Sequence, residues 1–178
     1  KAEKSEVLKT LALQKGGYAV LTLHRPGNVD DRDKLGAVLA ALGQISVRFP
    51  VVFPVHPRTA NLLKKFGIRL PAGLKLLPPL GYLDFLNLMM NCRFMLTDSG
   101  GIQEETTMLG IPCLTLRDST ERPVTVTEGT NTLVGSSRAK LVSEAGRILK
   151  GRGKGGRRPE RWDGQTAARI VRILMGEL

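Results

Sequence analysis

The chain is poor in several residue types that mark particular classes of protein. Cysteine and histidine occur twice each among 178 residues, and aromatic residues make up 4%. Cys92 and Cys113 have no metal-ligand spacing, and each adjoins an apolar run. We therefore expect reduced core thiols in a cytoplasmic protein, and neither a disulfide framework nor a zinc site.

Long apolar runs and the common nucleotide fingerprints are missing as well. No run approaches the roughly 18 apolar residues that cross a membrane, and we expect no secretory signal. Neither GxGxxG nor GxxxxGK[ST] occurs, so the sequence favours neither NAD nor a P-loop nucleotide. The length and the 42% hydrophobic content suit one domain with a mostly aliphatic core.

The net charge of +11 allows a nucleic-acid-binding interpretation. Much of this charge lies in residues 150–161, which are glycine-rich and have no interleaved aromatic residues. We favour a solvated basic loop between two helices, with a contact to a phosphate backbone as the alternative. A nucleic-acid partner is therefore not expected.

Short apolar runs alternate with helical patterns along the chain. The runs predict strands at residues 18–23, 51–55, 74–77, 94–97, 112–116 and 132–134. Helical spacing begins near residue 31 and recurs at residues 61–66, 82–91, 100–109, 123–128, 137–150 and 164–175. Because the strands are continuously apolar, we expect a doubly wound parallel α/β sheet with both faces covered.

Polar residues follow these strands in a consistent way. The residues directly after the first, second, fourth and fifth runs include His24 and Arg25, His56 and Arg58, Ser99-Gly100-Gly101, and Arg117 and Arg122. Parallel strands place their carboxyl ends on one rim, where ligands bind. Arginine forks and glycine N–H groups at a helix start both suit phosphate. We therefore expect a phosphate-containing ligand at this rim.

Each of these residues also has a purely structural interpretation. Ser99-Gly100-Gly101 can be only a helix start, and Glu104 and Glu105 can be ordinary first-turn acids that favour the helix dipole. His24 can merely cap its strand, and His56 can fix a tight turn. Arg117 can pair with a carboxylate, Arg122 can lie exposed on a helix, and Phe85 can fill the core.

Several motifs together resemble one family. They are LTLHRPGNVDD, VVFPVHPRT, LLPPLGYLDFLNLM, LTDSGGIQEE, GIPCLTLRDSTERPVTVTEGTNTLVG and WDGQTAARI. The chain resembles the non-hydrolysing UDP-N-acetylglucosamine 2-epimerases from about residue 17 to the end. The resemblance implies a glycosyltransferase-B architecture of two Rossmann-like halves. Residues 1–178 would form the C-terminal, UDP-binding half as a single domain, without the N-terminal half.

The resemblance also implies a reaction and its partners. A base removes the C2 proton of UDP-GlcNAc, UDP leaves to give a glycal, and both add back to form UDP-ManNAc. No metal, nicotinamide or other cofactor is implied. The main acid and base carboxylates belong to the absent N-terminal domain, so we expect the isolated half to bind UDP weakly and to be inactive. The full-length enzyme would be a homodimer.

Site residues carry over from the family position by position. Ser99, Gly100 and Gly101 would hold the diphosphate, and Glu105 would accept hydrogen bonds from the ribose. Phe85 would pack near uracil, with the backbone around Leu80 reading the base edge. His24 and Arg122 would sit by the diphosphate and sugar, with His24 the catalytic candidate. Arg25 and His56 match a possible activator site.

Two positions depart from the family pattern. Gly27 stands where relatives often carry the glutamate of HRPEN, and Leu80 stands where some carry a polar side chain. These departures put the contacts of the loop at Gly27 in question. A glycosyltransferase of the same fold and a hydrolysing 2-epimerase are the alternative functions.

Overall fold

The computed structural model describes residues 1–176. Within this range the strands form one parallel sheet of order β3-β2-β1-β4-β5-β6. The strands are β1 Ala19–Thr22, β2 Val51–Pro54, β3 Leu74–Leu77, β4 Phe94–Thr97, β5 Cys113–Thr115 and β6 Asn131–Leu133. This order is that of a Rossmann-like, doubly wound sheet, so the predicted fold is confirmed.

Helices connect the strands and cover the sheet. After a 3-10 turn at Ala2–Lys4 they are α1 Val7–Thr10, α2 Pro26–Val29, α3 Arg32–Ser46, α4 Pro57–Lys65, α5 Tyr82–Met90, α6 Gly100–Leu109, α7 Pro123–Thr127, α8 Arg138–Leu149 and α9 Thr166–Leu174. Among residues 1–176, no helix combines the length and the apolar character needed to traverse a bilayer.

Two helix starts differ from the sequence prediction. Helix α4 begins at Pro57 rather than Asn61, and α2 was not predicted at all. Both begin with a proline, whose fixed φ suits the first helical position and whose missing N–H is not needed there. A proline shortly after each of the two histidines therefore marks a helix start that the apolar spacing did not reveal.

The core has two layers, one on each face of the sheet. On one face Leu21 of β1 joins a cluster with Leu39 of α3 and Ala145 of α8. On the other face Val20 joins a cluster with Leu88 of α5 and Ile102 of α6. Neighbouring residues of one strand thus bury opposite faces, which explains why the strands read as continuous apolar runs.

Cys92 and Cys113 are free and buried in this second layer, as predicted. Burial raises the pKa of the Cys113 thiol to about 11, with partial compensation by hydrogen bonds from Thr106 and Thr115. Burial also raises the pKa of the Cys92 thiol. Both groups are therefore protonated near neutral pH and act as small core residues.

The basic segment 150–161 is the mostly exposed loop that we favoured from its composition, with no helix or strand, but it is anchored to the rest of the domain. Lys154 Nζ donates to the Asn131 carbonyl at 3.0 Å, and Arg157 N donates to the Glu128 carbonyl at 2.8 Å. A Cβ at Gly156 would come within 2.4 Å of the Gly129 backbone, so glycine is required for this close approach. The segment lies against α7 and β6, and two of its cations contact the protein itself.

Candidate functional site

The order of the strands reverses between β1 and β4, and the most unusual polar contacts lie there. Chain connections leave these two adjacent strands in opposite directions, which opens a crevice at their carboxyl ends. Thr22 and Thr97, the last residues of the two strands, are paired in register, with their hydroxyl oxygens 2.6 Å apart. His24 follows β1, and Asp98 with Ser99 follows β4, so both loops enter the same crevice.

Asp98 is the functional candidate that sequence reasoning missed. Its side chain is fully buried, yet it accepts hydrogen bonds from the backbone N–H groups of His24, at 3.0 Å, and Arg25, at 2.8 Å. It also accepts from Asn28 Nδ2 at 3.2 Å and lies 3.0 Å from His24 Nδ1. A carboxylate directly after a buried strand was the available signal. Its partners lie about 70 residues earlier, which concealed its role.

Ser99-Gly100-Gly101 forms an open helix start. The N–H groups of the first turn of α6 have no carbonyl partners within the helix, and Ser99 makes no side-chain cap within the described chain. A Cβ built at Gly100 would meet no atom of residues 1–176 within 4 Å outside its immediate helix neighbours, and one at Gly101 would meet only Ser99 Oγ, at 3.9 Å. Packing therefore does not require these glycines, which leave space in front of polarised N–H groups.

A cavity of about 300 Å³ lies beside this helix start. Its lining includes five of the residues that we predicted from the sequence, which are His24, His56, Leu80, Phe85 and Ser99. The His24 and His56 rings lie 6.2 Å apart between centroids. Leu80 and Phe85 give this cavity an apolar wall, which suits the flat face of a base.

His56 is held differently from His24. It precedes α4, and its Nδ1 accepts the Arg58 backbone N–H at 3.2 Å, so it caps its own helix. The structural interpretation of His56 as a residue that fixes a tight turn therefore has a direct basis. The ring still lines the cavity, so the two roles coexist.

Glu105 lines a neighbouring cavity of about 450 Å³ rather than the one that contains His24. Phe85 and Leu86 are adjacent on α5 and line one cavity each, so both spaces border this helix. The Glu105 Oε2 atom is buried without a hydrogen-bond partner in the described chain. Burial raises the pKa of this carboxyl, and the Tyr82 hydroxyl partly offsets that effect. A buried oxygen without a donor is suited to a ligand hydroxyl.

Arg122 lies against α6 through an ion pair. Its Nε is 2.7 Å from Glu104 Oε1, and both side chains are partly exposed. Glu104 stands in the second turn of the helix, so its interpretation as a first-turn acid for the dipole is wrong. The ion pair places the Arg122 guanidinium beside the helix that begins at Gly100.

A buried amide network connects the helix start to the Arg122 loop. Gln103 Nε2 donates to the Ser99 carbonyl at 3.1 Å, and its Oε1 accepts from Thr120 Oγ1 at 2.6 Å and from Asn131 Nδ2 at 3.0 Å. The Thr120 hydroxyl in turn accepts the Arg122 N–H at 3.0 Å. Gln103 and Asn131 were not predicted as site residues. The feature that distinguishes them is a polar side chain at a fully buried position.

Other arginines of the rim are paired with carboxylates of the chain. Arg58 contacts Asp30 at 2.6 Å. Arg117 forms a two-point contact with Glu121 at 2.6 and 2.7 Å, and Arg25 lies 3.8 Å from the same carboxylate. The Arg117 contact lowers the pKa of Glu121 to about 2. The positive charge available to a ligand is therefore smaller than the sequence indicated.

The fold defines an α/β protein of the Rossmann-like, doubly wound class, with a candidate ligand site at the strand switch point. A family model described as UDP-N-acetylglucosamine 2-epimerase matches residues 1–175. The Methanocaldococcus jannaschii UDP-N-acetylglucosamine 2-epimerase is 42% identical over 163 residues, which are 88% of this chain and 44% of that protein. The chain belongs to the UDP-N-acetylglucosamine 2-epimerase family.

Other relatives define how far this likeness extends. A Pseudomonas aeruginosa UDP-2,3-diacetamido-2,3-dideoxy-D-glucuronate 2-epimerase is 38% identical, covering 89% of this chain and 44% of that protein. The solved M. jannaschii epimerase in complex with UDP-GlcNAc and UDP superposes with a TM-score of 0.84 at 38% identity, covering 98% of this chain and 50% of that one. An Escherichia coli heptosyltransferase with ADP, 15% identical at a TM-score of 0.55 and covering 83% of this chain and 48% of that one, shares the fold alone. The chain spans about half the length of the relatives it matches.

Proposed function

We propose that this chain is the C-terminal, nucleotide-sugar-binding half of a non-hydrolysing UDP-N-acetylglucosamine 2-epimerase. The observation that carries this proposal is the unobstructed helix start at Gly100 and Gly101, beside the cavity that His24 and Phe85 line. The relative solved with UDP-GlcNAc and UDP supports the choice of ligand. Two free cysteines agree with a reducing cytoplasmic setting.

Each part of the nucleotide has a suitable environment at the rim. Ser99, Gly100 and Gly101 would hold the diphosphate on the first N–H groups of α6. Uracil would lie against Phe85 and the Leu80 backbone. The ribose hydroxyls would donate to the Glu105 carboxylate, whose buried Oε2 needs a donor. For this contact the ribose must extend from the cavity of Phe85 toward the neighbouring cavity that Glu105 lines.

The chemistry assigned to this half is stabilisation of the leaving nucleotide. Elimination builds negative charge on UDP, and helix N–H groups placed at the diphosphate lower that barrier directly. Arg122 would add positive charge at the sugar side, although it must share its guanidinium with Glu104. His24 is the residue positioned for a direct chemical role. Arg25 and His56 would contribute to an activator site completed by the other half.

The carboxylates of this rim are poorly suited to remove the C2 proton. Asp98 is buried and already accepts hydrogen bonds from three residues. Glu121 and Glu104 are paired with arginines. A general base needs an accessible lone pair near the proton it removes. We therefore assign the base to the absent N-terminal half and expect the isolated chain to be inactive.

Helix α9 presents a surface that a second domain would cover. Ile170, Val171, Ile173 and Leu174 are each more than half exposed. Exposed apolar side chains grouped on one element mark an interaction site. The N-terminal half is the partner that we propose for this surface, with homodimerisation left to the full-length enzyme.

Calorimetric titration with UDP tests the binding part of the proposal. We expect saturable binding in the millimolar range, with uridine binding more weakly because it lacks the diphosphate. Absence of UDP binding at millimolar concentration, with the chain folded, would contradict the proposal. The Glu105→Gln variant should bind UDP more weakly because a neutral amide is a poorer acceptor for the ribose hydroxyls.

Product analysis of a full-length version separates the alternative functions. Formation of UDP-ManNAc from UDP-GlcNAc without an acceptor supports the non-hydrolysing epimerase. Release of free ManNAc and UDP indicates a hydrolysing epimerase, and a requirement for an acceptor indicates a glycosyltransferase. Turnover of UDP-GlcNAc by residues 1–178 alone would contradict the assignment of the base to the other half.

A further inference from the structure

The two histidines of the rim use the same ring nitrogen in opposite ways. His24 Nδ1 lies 3.0 Å from the Asp98 carboxylate, which can only accept a hydrogen bond when ionised. His56 Nδ1 lies 3.2 Å from the Arg58 backbone N–H, which can only donate. In its neutral form, His24 must therefore carry its proton on Nδ1, whereas His56 must carry its proton on Nε2.

The remaining contacts of Asp98 prevent this carboxylate from turning away. Oδ2 accepts from the backbone N–H groups of His24 and Arg25 and from Asn28 Nδ2, while Oδ1 faces His24 Nδ1. The side chain is fully buried, so water does not replace these donors. One carboxylate thus holds both the backbone of the His24 loop and the orientation of its ring.

We propose that Asp98 is a positioning residue that fixes His24 as the Nδ1–H tautomer. Nε2 is then the ring nitrogen that exchanges a proton or a hydrogen bond with a ligand in the cavity. Neutral His24 accepts there, and protonated His24 donates there. The use of this nitrogen in the reaction rests on the proposed function, whereas the tautomer itself does not.

The Asp98→Asn variant should reverse the tautomer. The amide oxygen is needed by the two backbone N–H groups, so the amide NH₂ turns toward His24 Nδ1. Nδ1 must then accept, and the proton moves to Nε2, where it obstructs acceptance from a ligand. The same loss of the correct tautomer is known for an aspartate-to-asparagine change in serine proteases.

Long-range proton–nitrogen NMR spectra of the imidazole groups test this proposal, at a pH where both rings are neutral. The chain has two histidines, so single His24→Gln and His56→Gln variants assign every signal. We expect His24 with a protonated Nδ1 and an unprotonated Nε2, and the reverse pattern for His56. In Asp98→Asn, His24 should lose the Nδ1–H signal and adopt the pattern of His56.

The Asn28→Ala variant is the matched control. It removes one hydrogen bond to Asp98 and one to the Leu116 carbonyl but leaves the Asp98 carboxylate at His24 Nδ1, so the His24 tautomer should remain as in the wild type. A wild-type His24 protonated on Nε2, or an unchanged tautomer in folded Asp98→Asn, would overturn the proposal. If Asp98→Asn does not fold, the wild-type and Asn28→Ala spectra still decide. Failure of UDP binding would leave these spectra unaffected, so the two proposals fail separately.

Discussion

The loops at His24 and His56 look alike in sequence but are held by different means. Each histidine follows a buried strand and precedes a proline-initiated helix. His24 is held by Asp98, which lies in the loop after the adjacent strand β4. His56 is held locally, through the N–H of Arg58 two residues later.

The His24 loop thus belongs to the site at the strand switch point, whereas the His56 side chain caps a helix beside that site. At the switch point the loops after β1 and β4 share one buried carboxylate, so their geometry depends on the whole sheet. The His56 ring is held by its own helix, although Arg58 and Thr59 of that helix also contact Asp30 and the Leu23 carbonyl. We infer that changes in the first region alter stability and ligand binding together, whereas changes at His56 have local effects.

Removal of the two anchors gives the largest expected contrast. Asp98→Ala leaves several N–H groups without an acceptor and should lower the free energy of unfolding by about 3 kcal/mol. His56→Ala removes one helix-capping contact and should lower it by about 1 kcal/mol. Urea denaturation of both variants measures the difference. Equal losses in the two variants would remove the distinction between the regions.

A methyl group at the helix start separates binding from folding. Gly100→Ala fits open space on a helical backbone, so stability should stay the same or rise. The methyl group would occupy the place of the diphosphate, and UDP affinity should fall about tenfold, or roughly 1.4 kcal/mol.

Gly146→Ala on α8 is the matched control for that change. A Cβ at Gly146 would also meet no atom of the described chain within 4 Å outside its immediate helix neighbours, and Gly146 lies away from the rim near the end of α8. Its UDP affinity should equal that of the wild type in the same calorimetric titration. Full UDP affinity in Gly100→Ala would show that the helix start is only structural.

The smallest expected effect concerns Glu105 and pH. The pKa of Glu105 is raised in the folded state. This carboxyl therefore favours folding most at a pH below its pKa in the unfolded chain. Its contribution to stability is lost as pH rises through its pKa in the folded chain. At neutral pH, Glu105→Gln should therefore be more stable than the wild type, by less than about 1 kcal/mol because the group is partly exposed.

Thermal unfolding of the two proteins between acidic and neutral pH measures this effect. The stability difference should disappear below about pH 4, where the unfolded glutamate is protonated. A wild type that is more stable than Glu105→Gln at neutral pH would mean that the Tyr82 hydroxyl stabilises the carboxylate by more than its burial costs, which would contradict the raised pKa.

Much of the fold could be predicted because it depends on local patterns. Continuous apolar runs indicated buried parallel strands, and helical spacing located the long helices such as α3 and α8. The helix starts at Pro26 and Pro57 were missed because the residues that follow each proline carry no apolar spacing. The packing of Lys154 against Asn131 was missed because composition does not reveal which backbone carbonyls lie nearby.

The candidate site could be predicted in part for the same reason. The strand ends and the glycine pair located the rim, and His24, Phe85 and Ser99 do line one cavity. Contacts between residues far apart in the sequence could not be predicted, and these contacts changed the interpretation of the candidate site most. Asp98 with His24 and Glu104 with Arg122 both depend on how separate segments meet at the rim.

An amide NMR titration of the ¹⁵N-labelled chain with UDP tests the proposed site most directly. We expect saturable shifts that are largest at Gly100, Gly101 and Ile102, whose N–H groups in the first turn of α6 have no carbonyl partner within the helix. Shifts centred on the basic residues 150–161, or no saturable shifts from a folded chain at millimolar UDP, would contradict it.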